Sequence, residues 1–180
     1  MKIRLEDSIA MMVDYQEKLV PAIHNHEQII KKTEQLLTGL KLVGCPVFFT
    51  QQYTKGLGMT VPELVATQEE FSYLEKMTYS CFDTEEIKTY LDKQNKKTVI
   101  LAGLETHICV MQTARDLIAS GYNVCIVADC VGSRTEFNYQ VGMERMKQEG
   151  VYVTSVESVL FELLVKAGTP EFKAVSKLIK

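Results

Sequence analysis

A chain of 180 residues can bury one sizeable core without disulfides or metal staples, so a single domain over residues 1–180 is expected. Its 46% hydrophobic and 24% charged residues exclude a disordered or collagen-like chain, and a formal charge of −3 supplies no basic field for nucleic acid or an anionic membrane. No apolar run approaches the roughly 20 residues of a membrane helix, and "MKIRLEDSIAMMV" carries acids where a signal peptide has its apolar region. A cytoplasmic protein without nucleic-acid or membrane partners is the expectation.

In chain order, the first strand candidate is "SIAMMVD", residues 8–14. A helical period follows in "EQIIKKTEQLLTGLKLVG", with Ile29, Ile30, Leu36, Leu37 and Leu40 near one face and Gly44 as its stop. "PVFFTQ" reads as the second strand. The stretch from Tyr53 to Phe82, with Gly56, Gly58 and Pro62, resists the pattern and reads as a long functional excursion. "KTVILAG" is the next strand, "VMQTARDLIASGY" a helix ending at Gly121, and "NVCIVAD" a strand. Residues 136–149 and 156–167 read as helices on either side of a last strand, "VYVTS". Strands alternating with helices imply an α/β fold with a parallel sheet covered by helices.

Ligands of open parallel sheets bind beyond the carboxyl ends of the strands, so the residues there are the first candidates for chemistry. Asp14, Asp129 and Cys109 take such places. Cys109 lies at a strand-to-helix junction, where a helix N-terminus favours a thiolate and free N–H groups can hold an oxyanion; it reads as a nucleophile or as a small core residue. Asp14 is a buried acid needing a partner or a helix cap. Lys76 reads as a solvated lysine on composition alone.

The five cysteines (Cys45, Cys81, Cys109, Cys125, Cys130) are an odd set without a C-x-x-C pair or a histidine at zinc-site spacing, which argues against a disulfide framework or structural zinc. His24 and His26 look like surface or cap residues. His107 is a candidate base for Cys109, although neighbours on a tight turn usually point apart. Ser133 and Arg134 read as a solvated turn or an anion contact.

Three separated stretches, "MMVDYQEKL", "EKMTYSCF" and "ILAGLETHICVMQTARDLIASGYNVCIVADCVGSR", together resemble the isochorismatase-like cysteine hydrolase superfamily over essentially the whole chain. The resemblance implies a Rossmann-like three-layer α/β/α fold with a mainly parallel six-stranded sheet. It implies a catalytic triad of Asp14, Lys76 and Cys109, a cis peptide at Leu104–Glu105, and an oxyanion hole from the N–H groups of Glu105 and Cys109. Gln16, Tyr53 and Phe82 become candidates for the substrate pocket by their place in the matched motifs. "QY", "GLG" and "VPEL" are similar to the subgroup of isochorismatase domain-containing proteins.

The nicotinamidase branch carries a metal-binding Asp-x-His where this chain reads "TQQYTKG", so a metal-free enzyme with no cofactor is implied. The implied activity is hydrolysis of a small amide-like C–N bond through a thioester, in a homo-oligomer such as a dimer or tetramer. The alternatives are a non-catalytic binding or redox-sensing module on the same fold, and a vinyl-ether hydrolase, which Cys109 disfavours.

Overall fold

The computed structural model describes residues 1–180. In chain order its elements are β1 (Ser8–Val13), α1 (His26–Val43), β2 (Val47–Gln52), α2 (Thr54–Leu57), α3 (Pro62–Val65), β3 (Tyr73–Lys76), α4 (Glu85–Gln94), β4 (Thr98–Leu104), α5 (Met111–Ala119), β5 (Asn123–Gly132), α6 (Glu136–Gln148), β6 (Tyr152–Thr154), α7 (Val156–Leu164) and α8 (Pro170–Ile179). The six strands form one sheet in the order β3-β2-β1-β4-β5-β6, and every neighbouring pair is parallel.

Parallel strands need crossovers, and the crossovers place helices on both faces, so the central strands are buried on both sides. β1 and β4 are buried at every position. Their side chains alternate between two cores: Ala10, Met12, Ile100 and Ala102 join α1 and α7 residues on one face, while Ile9, Met11, Val99 and Leu101 join α4, α5 and α6 residues on the other. Periodicity alone therefore reads as a continuous apolar run. Gly39 of α1 permits close packing of α7, because a Cβ there would lie 2.3 Å from Leu160 Cδ1.

The excursion between residues 53 and 82 is more structured than a loop: it holds α2, α3 and the edge strand β3. Gln16 ties it down. That side chain is fully buried, donating to the carbonyls of Gln52 (2.9 Å) and Gly58 (2.8 Å) and accepting from the Gln52 N–H (2.7 Å). With its amide occupied by backbone, Gln16 is a clip between β1 and the excursion rather than a free pocket wall.

In β5 the register against β4 shifts after Leu101/Ile126, resuming at Gly103/Val131. The extra residues bulge out of the ladder, a feature concentrated near active sites. Asp129, within the bulge, accepts from the Val156 N–H at 2.9 Å and so anchors the start of α7. No helix is long and apolar enough to cross a membrane.

Candidate active site

The strand order reverses between β1 and β4, and ligands of open α/β sheets bind at that reversal. Asp14 follows β1 there and Cys109 follows β4, while Lys76 closes β3 two strands away and reaches across. The fold thus gathers three residues that are 62 and 33 positions apart in the chain.

Asp14 has a left-handed φ of 58°, which turns the chain out of β1 and sets the carboxylate inward. Its Oδ1 accepts from Thr50 Oγ1 at 3.0 Å, and its Oδ2 lies 2.7 Å from Lys76 Nζ. Both side chains are essentially inaccessible, 1% and 0% exposed. An isolated buried charge costs several kcal/mol, so each is tolerated because the other is present.

Lys76 Nζ also donates to Gln52 Oε1 (2.6 Å) and to the carbonyls of Thr78 (3.2 Å) and Tyr79 (3.3 Å). Burial opposes its charge, but Asp14 and the nearby thiols Cys81 and Cys109 outweigh burial and hold the ammonium above its ordinary value. It remains a cation at neutral pH. Asp14 Oδ2 makes no regular hydrogen bond beyond its ion pair, leaving it lone-pair capacity for a proton.

Cys109 sits in the π-type turn Thr106–Val110 that leads into α5 and is 7% exposed. Burial first, then the negative charge of Asp14, push the thiol up to about 12, with Lys76 pulling the other way. The surroundings thus favour the protonated sulfur over the thiolate.

The implied cis peptide is corrected: every peptide bond is trans. Glu105 redirects the chain with a left-handed backbone, φ 58° and ψ 61°, and its carbonyl accepts from the Ile108 N–H at 2.8 Å. Its buried carboxylate pairs with Arg134 Nε at 2.7 Å, which gives the "GSR" stretch a partner inside the protein.

His107 Nδ1 faces Ser133 Oγ at 3.0 Å and Glu105 Oε2 at 3.5 Å. Serine and acid compete for one ring nitrogen, so this is not a serine triad, which needs opposite nitrogens. Burial lowers the His107 pKa. His24 pairs loosely with Glu136 (3.7 Å) and His26 bonds the Ile23 carbonyl (3.1 Å), so the two do not converge on a metal.

Of the other pocket candidates, Tyr53 is 44% exposed, its ring over Gly56 and its N–H bonded to the Lys76 carbonyl at 3.0 Å. The Phe82 ring instead packs edge-on against Tyr122 (5.8 Å) with Lys88 over it (5.9 Å), on the α4 side. Sequence reasoning leaves Thr50 out, names Gln52 only within the "QY" stretch, and sets Cys81, the competing thiol near Lys76, below Cys109 because it lacks the strand-to-helix setting. Thr50 Oγ1 bridges Asp14 and the Cys81 sulfur (3.6 Å), and Gln52 steadies Lys76. Thr50 and Gln52 lie near the carboxyl end of β2, the kind of position that pointed to Asp14.

Residues 8–158 match the isochorismatase domain family. The secreted isochorismatase effector Isc1 of Phytophthora sojae is 39% identical over 96% of this chain and 84% of its own length. Isochorismatase domain-containing protein 1 of Danio rerio is 36% identical over 96% of this chain, which spans 61% of that protein. In structure, the chain superposes on the MAR1 ribonuclease of Caenorhabditis elegans with a TM-score of 0.93 at 33% identity, covering 99% of this chain and 92% of that one. The chain thus belongs to the isochorismatase family, and hydrolysis is the class of chemistry that membership supports.

Proposed function

We propose that the protein is a cysteine hydrolase of small amide-like C–N bonds, with Cys109 as nucleophile, Asp14 as the proton carrier and Lys76 as the fixed cation paired with Asp14. The observation that carries the reading is the buried Asp14–Lys76 pair at 2.7 Å, set at the sheet reversal from which the Cys109 turn also departs. A thiol held neutral needs a base at the moment of attack, and a carboxylate with a free lone pair supplies one.

As Cys109 attacks the carbonyl carbon, its proton passes to Asp14, and the N–H groups of Glu105 and Cys109 receive the oxyanion. Asp14 then gives that proton to the departing nitrogen, and the C–N bond breaks to leave a thioester. Water enters, loses a proton to Asp14 and attacks the thioester. The acid leaves, and Asp14 returns the proton to the Cys109 sulfur. Protons balance over the cycle, and no cofactor enters it.

The substrate is a small molecule rather than a polynucleotide: ribonuclease appears in the name of the C. elegans neighbour, but a net charge of −3 supplies no general field for a phosphate backbone. The exposed Tyr53, bonded through its N–H to the Lys76 carbonyl, supports its proposed role as a border of the substrate pocket. The test is turnover of a panel of small amides, with hydroxylamine trapping of the thioester. Cys109→Ala is expected to abolish both turnover and trapping while thermal unfolding stays cooperative; unchanged turnover would remove Cys109 from the mechanism.

A second reading, a binding module, draws support from a cavity of about 220 Å³ beyond the β5 bulge, lined by Asn25, Lys32, Asp129, Glu136 and Tyr139 and away from the triad. An inert panel with a ligand-dependent rise in Tm that Cys109→Ala does not alter would favour it.

A further inference from the structure

The turn that carries Cys109 is supported from the side by α6 as well as from behind by β4. α6 buries Gly142, Met143 and Met146. Gly142 lies directly against the turn: a Cβ there would come 2.8 Å from His107 N, 2.9 Å from His107 Cα and 2.9 Å from the Thr106 carbonyl carbon. Real Cβ contacts below 3.0 Å are essentially never seen. All three neighbours are backbone atoms, so no change of rotamer relieves the contact.

Nothing in the local conformation of Gly142 calls for glycine. It stands inside a helix, and its φ is not among the positive values. Glycine weakens a helix interior relative to alanine, so local propensity opposes it. What remains to account for glycine is the close approach of the two backbones.

We propose that Gly142 is a positioning residue for Cys109: lacking a side chain, it lets α6 seat the Thr106–Val110 backbone where the thiol faces Asp14 and Lys76. This rests on Cys109 being the nucleophile. Two further ties come from the same segment, Ser133 Oγ to His107 Nδ1 at 3.0 Å and Arg134 Nε to Glu105 Oε1 at 2.7 Å. Residues 133–142 thus hold the turn at His107 and Thr106 and its entry at Glu105. A single π-type turn is less regular than a 13-residue helix, so an added methyl moves the turn before it moves α6. A displacement on the order of 1 Å costs about 100-fold where reacting groups must align.

The test compares Gly142→Ala with Gly39→Ala. The second methyl also meets a contact too close to keep, 2.3 Å from Leu160 Cδ1, but its neighbour is a side chain between α1 and α7 and no part of the turn. Both variants are alkylated with limiting iodoacetamide from about pH 6 to 10, Cys109 is followed by peptide mass, and thermal unfolding is recorded alongside. Gly142→Ala is expected to unfold cooperatively and to alkylate at Cys109 about 10-fold or more faster at pH 8, with its pH profile displaced toward that of an ordinary thiol. Gly39→Ala should lower the Tm and leave the profile on that of the wild type.

A Gly142→Ala profile that superimposes on the wild type overturns the proposal. So does a Gly142→Ala variant that cannot fold, since the methyl would then be rejected by the whole fold rather than absorbed by the turn. Failure of the nucleophile reading looks different: Cys109→Ala would leave amide turnover intact, whatever Gly142→Ala does to the thiol.

Discussion

Asp14→Asn separates two effects that the buried carboxylate exerts on Cys109. As a charge, it is the second cause, after burial, that pushes the thiol up to about 12; as the proposed base, it would receive the proton that must leave for attack to occur. At pH 8 a thiol at that value is ionised in only about one molecule in ten thousand. Removing one like charge within about 4–6 Å relaxes such a value by roughly 1–3 units, or about 1.4–4 kcal/mol. The thiolate fraction at pH 8 should therefore rise by about 10- to 1000-fold. The asparagine oxygen can accept from Thr50 or from Lys76 but not from both, so one of the two contacts of the carboxylate is lost.

The expected outcome is a paradoxical variant: Cys109 alkylates faster with iodoacetamide at pH 8, while amide turnover falls by roughly 100- to 10,000-fold through loss of the proton acceptor. Peptide mass mapping across pH, beside a turnover assay, reads both arms. Alkylation no faster than in the wild type would refute the assigned electrostatics, and retained turnover would refute Asp14 as the base.

Lys76→Met leaves a buried carboxylate without its cation, and unfolding in urea should show a loss of about 3–5 kcal/mol, against near neutrality if the pair were solvated. Tyr15→Phe removes the hydroxyl that donates to the Cys130 carbonyl and accepts from Thr33; with those groups buried, a cost of about 1–3 kcal/mol is expected from the same assay, and a loss below about 0.5 kcal/mol would contradict it. All five thiols are raised by burial in the folded chain, Cys81 to about 11 and Cys45 and Cys109 to about 12, with Cys125 and Cys130 raised further. Their contribution is fully present below the unfolded value near 9 and is lost as pH climbs toward the folded values. With five protons withheld, stability should fall by as much as about 7 kcal/mol per pH unit above roughly pH 9.5, and a flat Tm between pH 8 and 10.5 under reducing conditions would contradict this.

The central strands could be read from sequence because burial on both faces writes a continuous apolar run into β1, β4 and β5. β3 could not: Tyr73–Lys76 is four residues at the sheet edge with only Lys76 buried, so neither alternation nor a run appears. α4 is faint for a similar reason, burying only Ile87 and Leu91 along its length. Asp14 and Cys109 stood out because they follow recognisable strands. Lys76 closes an unrecognised one and emerged only through resemblance, while Thr50 and Gln52 gain meaning solely from the Lys76 and Asp14 atoms beside them. Gln16 and Phe82 were placed near the site by motif neighbourhood, which specifies the backbone but not where a side chain spends its hydrogen bonds or its ring.

The strand order also governs when during folding the thiol can meet its partners. β1 pairs with β2 on one side and with β4 on the other, so a chain emerging only as far as α4 already holds Asp14 and Lys76 but leaves one flank of β1 bare. Insertion of β4 into that flank is the step that delivers Cys109. Parallel pairings between distant segments form slowly compared with helices. Accessibility of this one sulfur in a pulse of alkylating agent is therefore a clock for closure of the sheet, running behind the helical signal.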